Sequence, residues 1–97
     1  MPWLITFEDE PTKAHLRATH TDQHRAYVRS IEKNILLSGA LRETEDGRQT
    51  GGMWVIDVPD RAEAVALFEG DPFFRSGLRA NVRVQHWTRG VWEGRLG

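Results

Sequence analysis

The densest concentration of chemically useful side chains is the ten-residue stretch Glu69-Gly70-Asp71-Pro72-Phe73-Phe74-Arg75-Ser76-Gly77-Leu78. It holds an acid, a rigid turn, two adjacent aromatics, a base and two glycines. Proline fixes its own φ and biases Asp71 out of the helical region, so Asp-Pro reads as a turn start. An aspartate there can accept backbone N–H bonds and cap the next turn. A surface loop rarely carries two phenylalanines in a row, so the segment reads as a buried connection whose acid is held. Among the four histidines, His20 and His24 stand four apart, a spacing that can put two imidazoles on one helical face. With His15 and the acidic Glu8-Asp9-Glu10 this invites a metal site. No third ligand stands at a motif spacing, so no metal is expected. His86 reads as a sheet or interface residue. The four tryptophans Trp3, Trp54, Trp87 and Trp92 read as packing before cavity lining. No phosphate-binding glycine loop, nucleophile elbow or dinucleotide fingerprint is present.

Five other observations bound the class. The chain has 97 residues, which favours one domain, 1–97, small enough that a partner subunit would supplement its core. The formal net charge is −1, which removes the electrostatic argument for nucleic acid or an anionic membrane. There are no cysteines, hence no disulfide framework, thiol catalyst or cysteine–zinc site. Met1 to Glu8 lacks the basic start and apolar length of a signal peptide, and no apolar run reaches transmembrane length. The expectation is a soluble cytoplasmic protein.

The elements that position these residues follow from periodicity. Trp3–Phe7 alternates as a first strand, ended by Glu8-Asp9-Glu10-Pro11. Thr12–Asn34 is mainly helical, with a firm start at Thr21 or Asp22 as N-cap and an apolar stripe through Tyr27, Val28, Ile31 and Ile35. Lys13–His20 is either a preceding short helix or an ordered loop. Arg25, Arg29, Glu32 and Lys33 form its solvated face. Ile35–Leu41 is a second strand in which Ser38-Gly39-Ala40 makes a narrow patch, a bulge or a close approach by a ligand or backbone. Asp46-Gly47 signals the hairpin to a third strand, Met53–Val58. Asp60 caps a second helix along Ala62, Val65, Ala66 and Phe68 or Glu69, and Gly70 stops it. Asn81–Trp87 is a fourth strand, and the tail 88–97 adds a short edge strand or docks on a partner.

Strand, helix, strand, strand, helix, strand is the split βαβ arrangement. The fold class is therefore α+β, a ferredoxin-like βαββαβ with a four-stranded antiparallel sheet and both helices on one face. The first three strands are apolar at both parities, whereas a sheet with one solvated face would alternate cleanly. The simplest cover for the second face is the same sheet of another copy, an isologous homodimer.

The segments Gln23-His24-Arg25-Ala26-Tyr27-Val28, Ile35-Leu36-Leu37-Ser38-Gly39-Ala40-Leu41 and Asp71-Pro72-Phe73-Phe74-Arg75-Ser76-Gly77-Leu78 resemble the YCII-related (YciI-like) proteins, over about Trp3 to Trp87. The resemblance implies the dimeric α+β barrel superfamily and a site built on a histidine and an aspartate, here His24 and Asp71. It implies elimination or isomerisation of small cyclic acids or phenols. Many relatives carry an arginine three residues before the helix histidine, where Thr21 stands here. The second strand ends in Ser38-Gly39-Ala40 in place of a Gly-Gly-Pro-like sequence.

An imidazole takes and gives protons near neutral pH, and a carboxylate partner fixes its tautomer. The alternative is that Asp71 only caps a turn and His24 is a packed core residue. Arg17 or Arg75 could hold a substrate carboxylate, although for Arg75 a surface ion pair is the plainer role. The expectation is a cofactor-free lyase or isomerase with catalytic His24 and Asp71 and a substrate-binding set of Arg17, Ser38 and Gly39. A non-catalytic ligand-binding or accessory module on the same dimeric fold is the competing expectation.

Overall fold

The computed structural model describes residues 2–97. Strands β1 (Pro2–Asp9), β2 (Ile35–Leu41), β3 (Gly51–Asp57) and β4 (Arg79–His86) form one antiparallel sheet in the order β2-β3-β1-β4. Helices α1 (Leu16–Ile31), α2 (Arg61–Glu69) and α3 (Pro72–Arg75) cover one face. This is the expected ferredoxin-like α+β arrangement. The tail forms a separate two-strand hairpin, β5 (Val91–Trp92) and β6 (Arg95–Leu96), in place of an edge strand on the main sheet.

Period-two alternation places Ile5, Phe7, Trp54 and Ile56 on the helix side, where they are buried with Val58, Ala64 and Phe68. Phe7 meets both Trp54 and Phe68 edge-to-face. Tyr27, Val28, Ile31 and Ile35 pack on this core, as the helical stripe predicts. On α2 the buried pair is Ala64 and Phe68, four apart, and not Ala62 and Ala66. The run Ala-Glu-Ala-Val-Ala-Leu-Phe is apolar around most of its circumference, so its periodicity does not single out a face.

Helix α1 begins five residues before the expected cap. Pro11 starts a 3-10 turn, Pro11–Lys13, in which the Glu10 side chain accepts from the Thr12 N–H, and the chain runs on into α1 at Leu16. Thr21 is inside the helix, its hydroxyl donating to the Arg17 carbonyl at 2.5 Å. Gly70 ends α2 with ordinary right-handed dihedrals, so left-handed freedom is not why it is glycine. A Cβ there would sit 2.4 Å from the Tyr27 hydroxyl, which donates to the Leu67 carbonyl at 2.5 Å. Gly77, at φ +88, supplies the left-handed residue that ends α3.

Two irregularities matter for the site. In β2 the register shifts between Ile35 and Leu37, so the bulge lies at Leu36 and not at Gly39. In β1 it shifts between Glu8 and Asp9, where Asp9 pairs with Arg79 while Glu8 pairs with Asn81. The sheet face away from the helices carries Leu4, Met53, Val55, Leu37 and Leu41 by register. Leu37 and Leu41 are exposed there, as is Leu36 at the bulge. Among the described residues, no helix is long and apolar enough to cross a membrane.

Candidate active site

Helix α1 presents Arg17, Thr21, His24 and Arg25 to one side because three-, four- and seven-residue steps repeat a helical face. Across from them β2 contributes Ser38, Gly39 and Ala40, and β3 contributes Trp54. Gln49, Phe73 and Arg79 complete a cleft of about 320 Å³. Every residue expected at the site on sequence grounds lines this cleft except Asp71, which lies behind it, fully buried.

Asp71 is held by its local sequence. Pro72 opens α3, and the extended Asp71 (φ −71, ψ 127) caps it, its Oδ1 accepting from the Phe73 N–H at 3.0 Å. The same Oδ1 is 2.8 Å from His24 Nδ1, and Oδ2 accepts from Arg79 Nη1. Capping and histidine pairing, alternatives on sequence grounds, are therefore made by one oxygen together. The His24 ring stacks on Phe73, with centroids 4.1 Å apart and planes 16° apart, which fixes its orientation. With Nδ1 turned to Asp71, Nε2 is the ring nitrogen left for the cleft.

Arg17 extends to Asp9, its guanidinium 5.0 Å from the Phe73 ring centroid. It stands one turn before Thr21 and lines the cleft from there. Arg79 lies almost wholly inside, stacked on Phe7 at 3.9 Å. Burial pulls its guanidinium down to about 10, against the opposing pull of Asp71. Arg75 is exposed on α3 and outside the cleft. Among the described residues, no three histidine, cysteine or acidic side chains group as a metal site. His15 is exposed ahead of α1, His20 lies outside the cleft, and His86 packs against Trp3 at 5.1 Å.

Arg79, Asp9 and Gln49 are site residues that sequence reading missed, and Trp54 and Arg25, read first as a packing residue and as part of a solvated face, also line the cleft. Strict alternation from Val82 would turn Arg79 to the far face; the bulge at Glu8/Asp9 turns it inward with Asp9.

Tyr27 gives a pH-dependent contribution. Burial first, and then the nearby Asp71 charge, raise its phenol above 10.0. The neutral, hydrogen-bonded form is thus favoured in the folded state. Its stabilisation is complete below about pH 10 and is lost as pH rises through the higher folded value. Urea unfolding across this range should show the advantage of the parent over Tyr27→Phe shrinking above pH 10. A constant difference would mean that the phenol titrates alike folded and unfolded.

The model of the YCII-related domain matches residues 1–88. No curated protein sequence matches the chain. A similar solved structure is the 5-chloro-2-hydroxyhydroquinone dehydrochlorinase (TftG) of Burkholderia phenoliruptrix AC1100, in complex with 2,5-dihydroxybenzoquinone. It is 26% identical with a TM-score of 0.84, over 93% of this chain and 96% of that one.

Proposed function

We propose, from the premise that this chain belongs to the YCII-related family, that it is a small-molecule enzyme of the lyase or isomerase type. His24 is its general acid/base and Asp71 the partner that orients it. The observation that carries this reading is the 2.8 Å contact between His24 Nδ1 and a fully buried Asp71, at the wall of an open cleft. The similarity to a dehydrochlorinase supports the reaction class.

The chemistry follows from the contact. Donation of Nδ1–H to Asp71 leaves the Nε2 lone pair free to take a proton from a substrate carbon or oxygen. The released electron pair then expels a leaving group from the adjacent carbon, or shifts a double bond. Asp71 stabilises the imidazolium without accepting its proton, because its own oxygens are already held by Phe73 and Arg79. His24 then returns the proton to solvent or to the product. No cofactor enters these steps. Arg17, Ser38 and Gly39 act as substrate-binding groups in this scheme.

The test is product formation from a panel of small cyclic acids and phenols that includes 5-chloro-2-hydroxyhydroquinone, by the parent and by His24→Asn. Turnover by the parent that His24→Asn loses supports the reading. Saturable binding without product by the parent makes the chain a binding module instead.

The same proposal includes a homodimer in the cytoplasm, formed through the sheet face that carries Leu37, Leu41, Met53 and Val55. Exposed Leu37 and Leu41 support it, since burying such a face removes apolar area from water. Sedimentation of the parent should give twice the chain mass, and Leu37→Glu with Leu41→Glu should give the chain mass. A parent that sediments as one chain contradicts the dimer.

A further inference from the structure

Arg79 is not satisfied by the protein. A guanidinium carries five N–H donors in a planar fork. Its side chain is 4% exposed, and Nη1 donates to Asp71 Oδ2. Nε is buried with no hydrogen-bond partner among the described residues. One flat face of the group is closed by Phe7 at 3.9 Å, and the rings of Trp54 and Phe73 stand 5.6 and 5.3 Å away. Leaving donors of a buried cation unpaired costs free energy that folded proteins seldom bear without a purpose.

The open side of the group is the cleft, which Arg79 lines together with His24. The space there is kept by sequence. A Cβ on Gly52 would stand 3.9 Å from Arg79 Nη2 and 3.2 Å from the Gly39 carbonyl oxygen, so a side chain at this position would crowd the approach. Asp71 is occupied by His24, Phe73 and Arg79. Asp9 accepts from Arg17 through Oδ2, while its buried Oδ1 has no hydrogen-bond partner among the described residues and makes no bond to Arg79. Arg17 differs from Arg79 in being a quarter exposed, so water can solvate it.

We propose that Arg79 is the anion-binding residue of the cleft, taking a carboxylate, phenolate or enolate oxygen of a small planar ligand on its cleft-facing side, next to His24. This rests on the preceding reading for the role of His24 and adds the residue that holds the substrate's anionic oxygen. Trp54 and Phe73 suit a flat ring, and about 320 Å³ accommodates a single one. When His24 takes the substrate proton, the electron pair of the broken bond moves toward the oxygen held by Arg79. The buried cation stabilises that oxygen most where its charge is greatest. Burial lowers the affinity of Arg79 for its own proton although Asp71 and Asp9 oppose the shift, and an anionic ligand in the cleft would oppose it further.

The probes are benzoate and its uncharged near-isostere benzamide, titrated into the whole protein while the Arg79 side-chain N–H signal is followed by NMR. Benzoate should shift that signal to saturation and benzamide should not. Benzoate binding should weaken about tenfold or more in Arg79→Lys, which keeps the charge and loses the planar fork. An unmoved Arg79 signal, equal binding of the two probes, or no binding of benzoate overturns the proposal. The titration of the parent decides even if Arg79→Lys fails to fold. Failure of the acid/base reading looks different: benzoate still shifts Arg79, and His24→Asn retains turnover.

Discussion

Replacing Asp71 with leucine is expected to lower the unfolding free energy by about 3–5 kcal/mol. Asp71 is fully buried, and its two oxygens serve His24, the Phe73 N–H and Arg79. Leucine matches it in bulk but removes all three acceptor functions. The largest part of the loss is Arg79, left as a buried cation without its carboxylate. Loss of the cap on α3 contributes about 1 kcal/mol, within that total. Urea unfolding of the parent, Asp71→Leu and Asp71→Asn should rank them in the order parent, Asn, Leu, because asparagine keeps an oxygen for the cap but not the charge. Adding Arg79→Met to Asp71→Leu should recover much of the loss, since replacing both members of a buried pair with apolar groups is far less costly than orphaning one. A loss below about 1 kcal/mol in Asp71→Leu would mean that Arg79 finds another acceptor on its own.

His24→Asn is expected to reduce turnover about 10²–10⁴-fold while leaving the fold intact. The asparagine amide nitrogen falls near the place of Nδ1, so the donor to Asp71 is retained. What disappears is Nε2, the nitrogen that faces the cleft. Stability should fall only modestly, by the lost stacking on Phe73, about 0.5–1.5 kcal/mol. Substrate binding should change less than turnover, because Arg17 and Arg79 remain. Kinetics on a substrate from the product panel, with circular dichroism of the variant, check both parts. If turnover and thermal stability fall in step, His24 is a packing residue.

The fold was readable because alternation and helical period agree with the tertiary arrangement at most positions. Trp3, Ile5 and Phe7 alternate, and Tyr27, Val28 and Ile31 share a stripe that meets the core. Element edges were less readable where local chemistry overrode the expected signal. A proline-led 3-10 turn starts α1, although Thr21 has the better cap side chain. His24 and Asp71 were visible in the sequence through resemblance and through the stiffness of Asp-Pro. Their contact was not, because it joins residues 47 apart through the packing of α1 on α3. Arg79 and Asp9 were hidden by a single bulge. One extra residue in β4 reverses which side chains face inward, and nothing in the residues from Leu78 to Asn81 announces it. The candidate site thus combines motif residues, which the sequence displays, with a buried ionic partner, which only the register reveals.

A long-range proton–nitrogen NMR correlation of the His24 ring, taken about two pH units above the usual imidazole value of about 6.5, reads which nitrogen carries the proton in the neutral ring. The contact with Asp71 predicts a proton on Nδ1 and a bare Nε2, and loss of this preference in Asp71→Leu. A proton on Nε2 in the parent, or the same tautomer mixture in both proteins, would contradict a histidine poised by Asp71 to act as base.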